Sequence, residues 1–291
     1  MKFQAAHDSN ILDIVFQKTG TTKTKIKSLI KYKKVKINGE IVIKNNHLVK
    51  TNDNIEIDYE KGKYESSKYT FKYPILFEDD NFIVSVKPAG LLTVGTVSEK
   101  TKTFYRQINN YVKDKSRDNE RIFIVHRLDK EVSGILIFAK TEAMQEAIKE
   151  NWYKTKKLYY ALVEGCPDKE KGTIESYLKE GYAMKVYSTN NQEGAKKAIT
   201  HYEIVKKYEN HTLLKVQLGT GRKNQIRVHL SDIGCPIVGD TRYGADEKIV
   251  RQIRLHAYYF EFEHPVTHET LKFETPIPPK FIKLGDKDEK Y

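Results

Sequence analysis

Two short apolar runs, Ile122-Phe123-Ile124-Val125 and Ile135-Leu136-Ile137-Phe138, flank a connection that carries His126, Arg127, Asp129, Lys130 and Glu131. Such runs, rich in β-branched and aromatic residues, read as buried strands. Charges this close to a buried sheet require a reason. Asp129 would be costly to keep ionised one short loop from the core unless a cation and hydrogen bonds stabilise it. A structural salt bridge with Arg127 is the plain alternative.

The same pattern of short apolar runs and turns continues from Tyr73 onward. Residues 122–125, 135–139, 158–163 and 213–218 read as strands. Residues 141–151 read as a helix capped by Thr141, with Glu142 in its first turn. An α+β domain with a mixed, largely antiparallel sheet is therefore expected over 73–283. No dinucleotide fingerprint, phosphate-cradling glycine loop or internal repeat occurs in it, which sets aside the common nucleotide-dependent chemistries.

Residues 1–70 have a different composition, with 14 lysines against 8 acidic residues, half of the chain's net charge of +12 in a quarter of its length. Ile26, Leu29 and Ile30 recur at helical spacing, and Lys23, Lys27, Lys31 and Lys34 fall on another side of that helix. No acidic residue occurs between Gln17 and Gly39, so the stripe lacks the mixed charge of a merely solubilising face. The string Val35-Lys36-Ile37-Asn38-Gly39-Glu40-Ile41-Val42-Ile43 places Asn-Gly between alternating runs, a hairpin signal because both residues tolerate positive φ. A further strand is expected at 54–59. These features predict a small basic α/β unit over 10–58, a linker at 59–72 and a charged tail at 284–291.

The overall charge favours a polyanionic partner, since basic side chains that neutralise phosphates release counterions. Cys166 and Cys235 are far apart in sequence and form neither a zinc motif nor a disulfide framework, so a reducing, cytoplasmic setting is expected. No run is apolar enough for a membrane helix, and Met1-Lys2-Phe3-Gln4 lacks the apolar core of a secretion signal, so no membrane partner is expected. Monomer is the default state.

The string His126-Arg127-Leu128-Asp129-Lys130-Glu131-Val132-Ser133-Gly134-Ile135-Leu136-Ile137-Phe138-Ala139-Lys140 closely resembles the H-R-L-D signature of the RluA-type pseudouridine synthases. Val86-Lys87-Pro88-Ala89-Gly90, Lys157-Leu158-Tyr159-Tyr160-Ala161 and the block from Gly221 through Arg222, Gln225 and Arg227 to Leu230 follow in the family's order. Ile233-Gly234-Cys235-Pro236-Ile237-Val238-Gly239-Asp240 and Arg254-Leu255-His256-Ala257 complete it. Val132 departs from the family's usual Thr, and Lys223-Asn224 from Thr-His. The N-terminal helix and hairpin resemble the small RNA-binding domain named after the fourth ribosomal protein of the small subunit.

The resemblance implies an isomerase that converts uridine in structured RNA to pseudouridine without cofactor or metal, on ribosomal RNA in preference to transfer RNA. It implies Asp129 as the carboxylate that enables cleavage of the bond between uracil and ribose. Arg227 is the cation that keeps Asp129 ionised and oriented, and Tyr159 stacks on the base and could help remove the carbon-5 proton. Arg127, Arg222 and Gln225 would contact the substrate, with Arg127 filling the gap left by the extruded base. Lys23, Lys27 and Lys31 would contact RNA from the N-terminal unit. His126, His229 and His256 have no metal-ligand spacing and read as structural. A kinase is excluded by the missing D-F-G and glycine-rich loop, and a zinc deaminase by the missing P-C-x-x-C. A catalytically silent RNA-binding or assembly factor is the remaining alternative, and it would tolerate loss of Asp129.

Overall fold

A computed structural model describes residues 1–291 apart from 32, 59–70, 117–119, 251 and 289–291. The chain divides into two compact units, Met1–Glu65 and Ser66–Tyr291. The expected linker lies outside the described residues except for its last two.

The N-terminal unit comprises β1 (Lys2–Gln4), β2 (Ser9–Asn10), α1 (Ile11–Thr19), α2 (Lys23–Lys31), β3 (Val35–Ile37), β4 (Glu40–Ile41), β5 (Leu48–Val49) and β6 (Asn54–Ile57). Asn10 caps α1 by accepting from Asp13 N at 3.0 Å, and Gly20 closes it with φ +65°. Asn38 and Gly39 both have positive φ, as a two-residue hairpin turn requires. The sheet order is β1-β6-β3-β4, so β1, outside the 10–58 read from sequence, belongs to the unit because it pairs with β6. Ile11, Val15, Ile26, Ile30, Val35 and Ile55 are fully buried in a core of the unit's own. The lysine stripe is shorter than expected. Helix α2 ends at Lys31, Lys34 is ion-paired with Asp58, and Lys23 is paired with Asp13 of α1.

The larger unit comprises β7 (Ile75–Glu78), β8 (Phe82–Lys87), α3 (Phe104–Lys115), β9 (Phe123–Ile124), β10 (Ser133–Ala139), α4 (Glu142–Glu150), β11 (Lys156–Glu164), β12 (Lys171–Glu180), β13 (Val186–Thr189), β14 (Lys196–Lys207), β15 (His211–Leu218), α5 (Gln225–Asp232), β16 (Leu255–Glu263), β17 (Thr270–Glu274) and α6 (Pro279–Asp288). Its sheet runs β13-β12-β14-β15-β11-β16-β10-β8-β7, with β17 beside β16 and β9 beside β10. Among the described residues every pairing of these strands is antiparallel except β10 with β16, so the mixed, largely antiparallel sheet is as expected. Strand β10 is buried almost throughout, because helices cover it. Phe104, Ile108 and Val112 of α3 and Met144 and Ile148 of α4 recur every fourth residue and enter the same core. Thr141 caps α4 by accepting from Met144 N at 3.1 Å. The C-terminal tail is a correction. Phe281 and Leu284 pack with Leu162, Leu213 and Val238, and this anchoring draws residues through Asp288 into α6.

Two features position the site. Strand β9 is shorter than the expected 122–125, and the chain after it leaves the sheet as the loop that bears Asp129. Strands β10 and β16 meet through only Ser133–His256 and Gly134–Ala257. A Cβ built on Gly134 (φ +129°) falls 2.2 Å from Ala257 O and 2.5 Å from Ala257 N. Gly134→Ala is therefore expected to lower stability by about 3 kcal/mol, through backbone strain and overpacking together. A chemical-denaturation midpoint equal to that of wild type would show that the seam gives way.

Candidate active site

The loop holding Asp129 is clamped by backbone contacts. Thr93 Oγ1 donates to Leu128 O at 2.6 Å and accepts from Leu128 N at 3.2 Å. Lys87 is fully buried, and its ammonium donates to the carbonyls of Pro88 (2.9 Å), Leu91 (2.8 Å) and Lys130 (3.2 Å). Three acceptors match the three protons of the charged form. Burial nevertheless pulls its pKa down to about 8, against the opposing charges of Glu131 and Asp129. Gly90 N adds a second bond to Lys130 O at 2.8 Å. Lys87 lies in the Val86–Gly90 stretch, and nothing local in that stretch signals its role, which depends on the distant carbonyl of Lys130.

Asp129 faces a cleft of about 510 Å³ with Tyr159 of β11 and Arg227 of α5 on its walls. Arg227 Nη1 donates to Asp129 Oδ2 at 3.1 Å. The same guanidinium donates from Nε and Nη2 to Asp240 at 2.6 and 2.7 Å, and it lies 4.9 Å from the centre of the Tyr243 ring. Burial alone would lower the Arg227 pKa, but its hydrogen bonds and charge contacts with Asp240, and then Asp129, raise it. Arg227 therefore stays charged, held on one side by a fully buried carboxylate and presented on the other to Asp129. Asp240 ends one of the recognised sequence blocks but was not expected at the site, and Tyr243 was not singled out.

Tyr159 is buried, and its pKa is raised by that burial and by the charge of Asp129. Its ring can cover a base, but the phenol stays protonated at neutral pH, which argues against its removing the carbon-5 proton. Arg127 is exposed at the cleft and forms no ion pair among the described residues. The alternative of an Arg127–Asp129 salt bridge is thus replaced by Arg227–Asp129. Arg222 is also exposed and donates to Lys197 O at 3.0 Å. Gln225 differs from expectation. Its amide donates to Ile199 O and Thr200 Oγ1, and its oxygen accepts from Thr220 Oγ1 and Arg222 N. All four hydrogen-bonding positions are filled by protein, so Gln225 braces the loop and offers nothing to RNA.

The departures from the family pattern have local explanations. Asn224 takes the left-handed conformation (φ +52°) that Asn tolerates, and donates to Tyr243 Oη at 2.9 Å. Lys223 pairs with Glu180 at 2.7 Å. Val132 is buried on the cleft wall. Lys23, Lys27 and Lys31 lie in the other compact unit, with Lys23 paired to Asp13.

The three histidines each have protein partners. His126 accepts from Ile137 N at 3.2 Å and packs between Trp152 and Phe260. His229 bridges Thr200 and Ser176, and His256 bridges Ser133 and Thr275. Among the described residues no group of three or more His, Cys, Asp or Glu could hold a metal. Burial lowers the His256 pKa from 6.5 to about 4. The fold thus holds it neutral while the unfolded chain protonates it, so its contribution is complete above pH 6.5 and is lost as pH falls through 4. Thermal stability is expected to decline between pH 6.5 and 4 by up to about 1.4 kcal/mol per pH unit for this group. His256→Gln should decline less over that window, and an identical decline would remove His256 as a cause.

Comparison with known proteins agrees with the geometry. Residues 81–232 match the family model for RNA pseudouridylate synthase. The chain is 32% identical to the uncharacterized RNA pseudouridine synthase YhcT of Bacillus subtilis, covering 90% of this chain and 88% of that protein. It is 33% identical to ribosomal large subunit pseudouridine synthase D of Pseudomonas aeruginosa, over 72% of this chain and 70% of that protein. The structure of human RNA pseudouridylate synthase domain containing 4 shares the fold, with a TM-score of 0.63 at 24% identity over 80% of this chain and 98% of that one. The chain belongs to the RNA pseudouridylate synthase family and is of its RluA type. Its reaction is the isomerisation of uridine in RNA to pseudouridine.

Proposed function

We propose that Asp129 is the carboxylate that enables cleavage of the bond between uracil N1 and ribose C1′. The freed uracil rotates within the cleft and rejoins C1′ through carbon 5, which then gives up its proton. The observation that carries this reading is the convergence of Asp129, Tyr159 and Arg227 from three separate elements on one cleft. Arg227 positions the carboxylate, and Tyr159 covers the uracil and limits its escape while it is detached. Arg127 enters the base stack from the rim as the uridine leaves it, and Arg222 holds a neighbouring phosphate.

The substrate we propose is ribosomal RNA, consistent with the names of similar proteins such as the Pseudomonas enzyme. We further propose that it acts as a monomer in the cytoplasm. Release of tritium from ribosomal RNA carrying carbon-5-labelled uridine, by the protein without added metal or nucleotide, tests the assignment.

For the N-terminal unit the proposed role is RNA contact in the manner of the small ribosomal-protein domain it resembles. The basic helix α2 and the Asn-Gly hairpin support that role. Changing Lys23, Lys27 and Lys31 together to Ala is expected to weaken RNA binding and to flatten its salt dependence. A salt slope equal to that of wild type would turn the stripe away from RNA.

A further inference from the structure

The segment between β12 and β13 sits at the mouth of the cleft and takes no part in the chemistry above. Tyr182 is 98% exposed and Met184 67% exposed, yet Met184 lines the cleft that holds Asp129. Ala183 (φ +52°) and Met184 (φ +56°) are consecutive left-handed residues, an arrangement that side chains bearing a Cβ rarely adopt. A segment required only to turn would carry Gly or Asn at those positions.

Four hydrogen bonds hold this backbone in place. Arg242 Nη2 donates to Ala183 O at 2.6 Å, and Val186 N donates to Tyr243 Oη at 3.2 Å. Gly181 N donates to Lys185 O at 2.8 Å and Lys185 N to Tyr182 O at 3.2 Å. Tyr243 also packs beneath Arg227, so the segment is tied to the residue that orients Asp129. Two large apolar side chains shown to solvent on a strained, fastened mount constitute a contact surface.

Its surroundings identify the partner's chemistry. Arg127, Arg222 and Lys223 share the cleft with Met184, and the exposed Lys185 is the next residue in the chain. Cations that meet phosphates, interleaved with aromatic and polarisable side chains that meet base faces, are the means of gripping single-stranded nucleic acid. We infer that Tyr182 and Met184 form a stacking knuckle for unpaired bases adjoining the target uridine. On this inference, which rests on the isomerase reading, the cleft mouth selects a locally single-stranded segment of RNA.

The test uses the full chain with Tyr182→Ala, Tyr182→Phe and Met184→Ala, and unmodified ribosomal RNA transcripts with carbon-5-tritiated uridine. Loss of one base–aromatic stack should raise KM about tenfold in Tyr182→Ala, with kcat within about twofold of wild type. The Kd for the same transcripts should weaken in parallel with an unchanged salt slope, because no charge is removed. Thermal stability should hold, because the Tyr182 side chain is almost wholly exposed. Tyr182→Phe should behave as wild type, and Met184→Ala should show a smaller rise in KM. The inference is overturned if Tyr182→Ala keeps the wild-type KM and Kd, if Tyr182→Phe is as impaired as Tyr182→Ala, or if the salt slope falls. Wild-type protein that binds the transcripts but releases no tritium would overturn the isomerase reading, while the binding arm still decides the stacking role.

Discussion

Asp129→Asn is expected to reduce pseudouridine formation by more than about 10³-fold while leaving RNA affinity within about twofold of wild type. The substitution keeps the size of the side chain and its place in the clamped loop, and removes the charge that pairs with Arg227 and that we propose takes part in the chemistry. Stability should change little. The Asp129 side chain is 29% exposed, and Arg227 retains its bidentate bond to Asp240. Tritium release and filter binding on the same RNA separate the outcomes. Equal loss of binding and turnover would make Asp129 structural. Full turnover by the variant would instead move the protein to the silent RNA-binding class.

Asp240→Ala should have the largest effect on the fold. It leaves the Arg227 guanidinium buried with only the partly exposed Asp129 as a charged partner, and breaking a buried ion pair from one side costs about 3–5 kcal/mol. For a unit of this size that is a fall in Tm on the order of 10 °C. Activity should fall as well, because nothing then fixes the angle at which Arg227 reaches Asp129. Asp240→Asn keeps one acceptor and one shape, so its loss should be smaller. A Tm for Asp240→Ala within about 2 °C of wild type would mean that solvent or a rearranged Asp129 replaces the lost carboxylate.

What the sequence made readable was mostly local. The cap at Thr141, the Asn-Gly turn and the apolar runs of β10, β11 and β15 each depend on residues a few positions apart. Family motifs extended this to Asp129, Tyr159 and Arg227, whose meeting no periodicity implies. Long-range partners were the part that could not be read. Asp240 and Tyr243 take their roles from where α5 places Arg227, and Lys87 from a carbonyl 43 residues away. Gln225 was misread for the same reason, since two of its four partners, Ile199 and Thr200, come from β14 and only Thr220 and Arg222 are near it in sequence. Strands β12 and β13 carry many polar residues because much of their surface is exposed, so the apolar-run criterion passed over them.

The narrow seam between β10 and β16 gives this architecture an uneven sensitivity to change. Asp129 is carried on the β10 side of the seam and Tyr159 on the β11 side, with β16 between them. Only two residue pairs set the spacing across that junction, whereas β10 pairs with β8 along six positions. Substitutions that spread the seam by a fraction of an ångström need not disturb the broad pairing behind it, yet they separate Asp129 from Tyr159. Variation accumulating there should silence the enzyme well before it unfolds it, so drift toward an inactive RNA binder requires no change at Asp129.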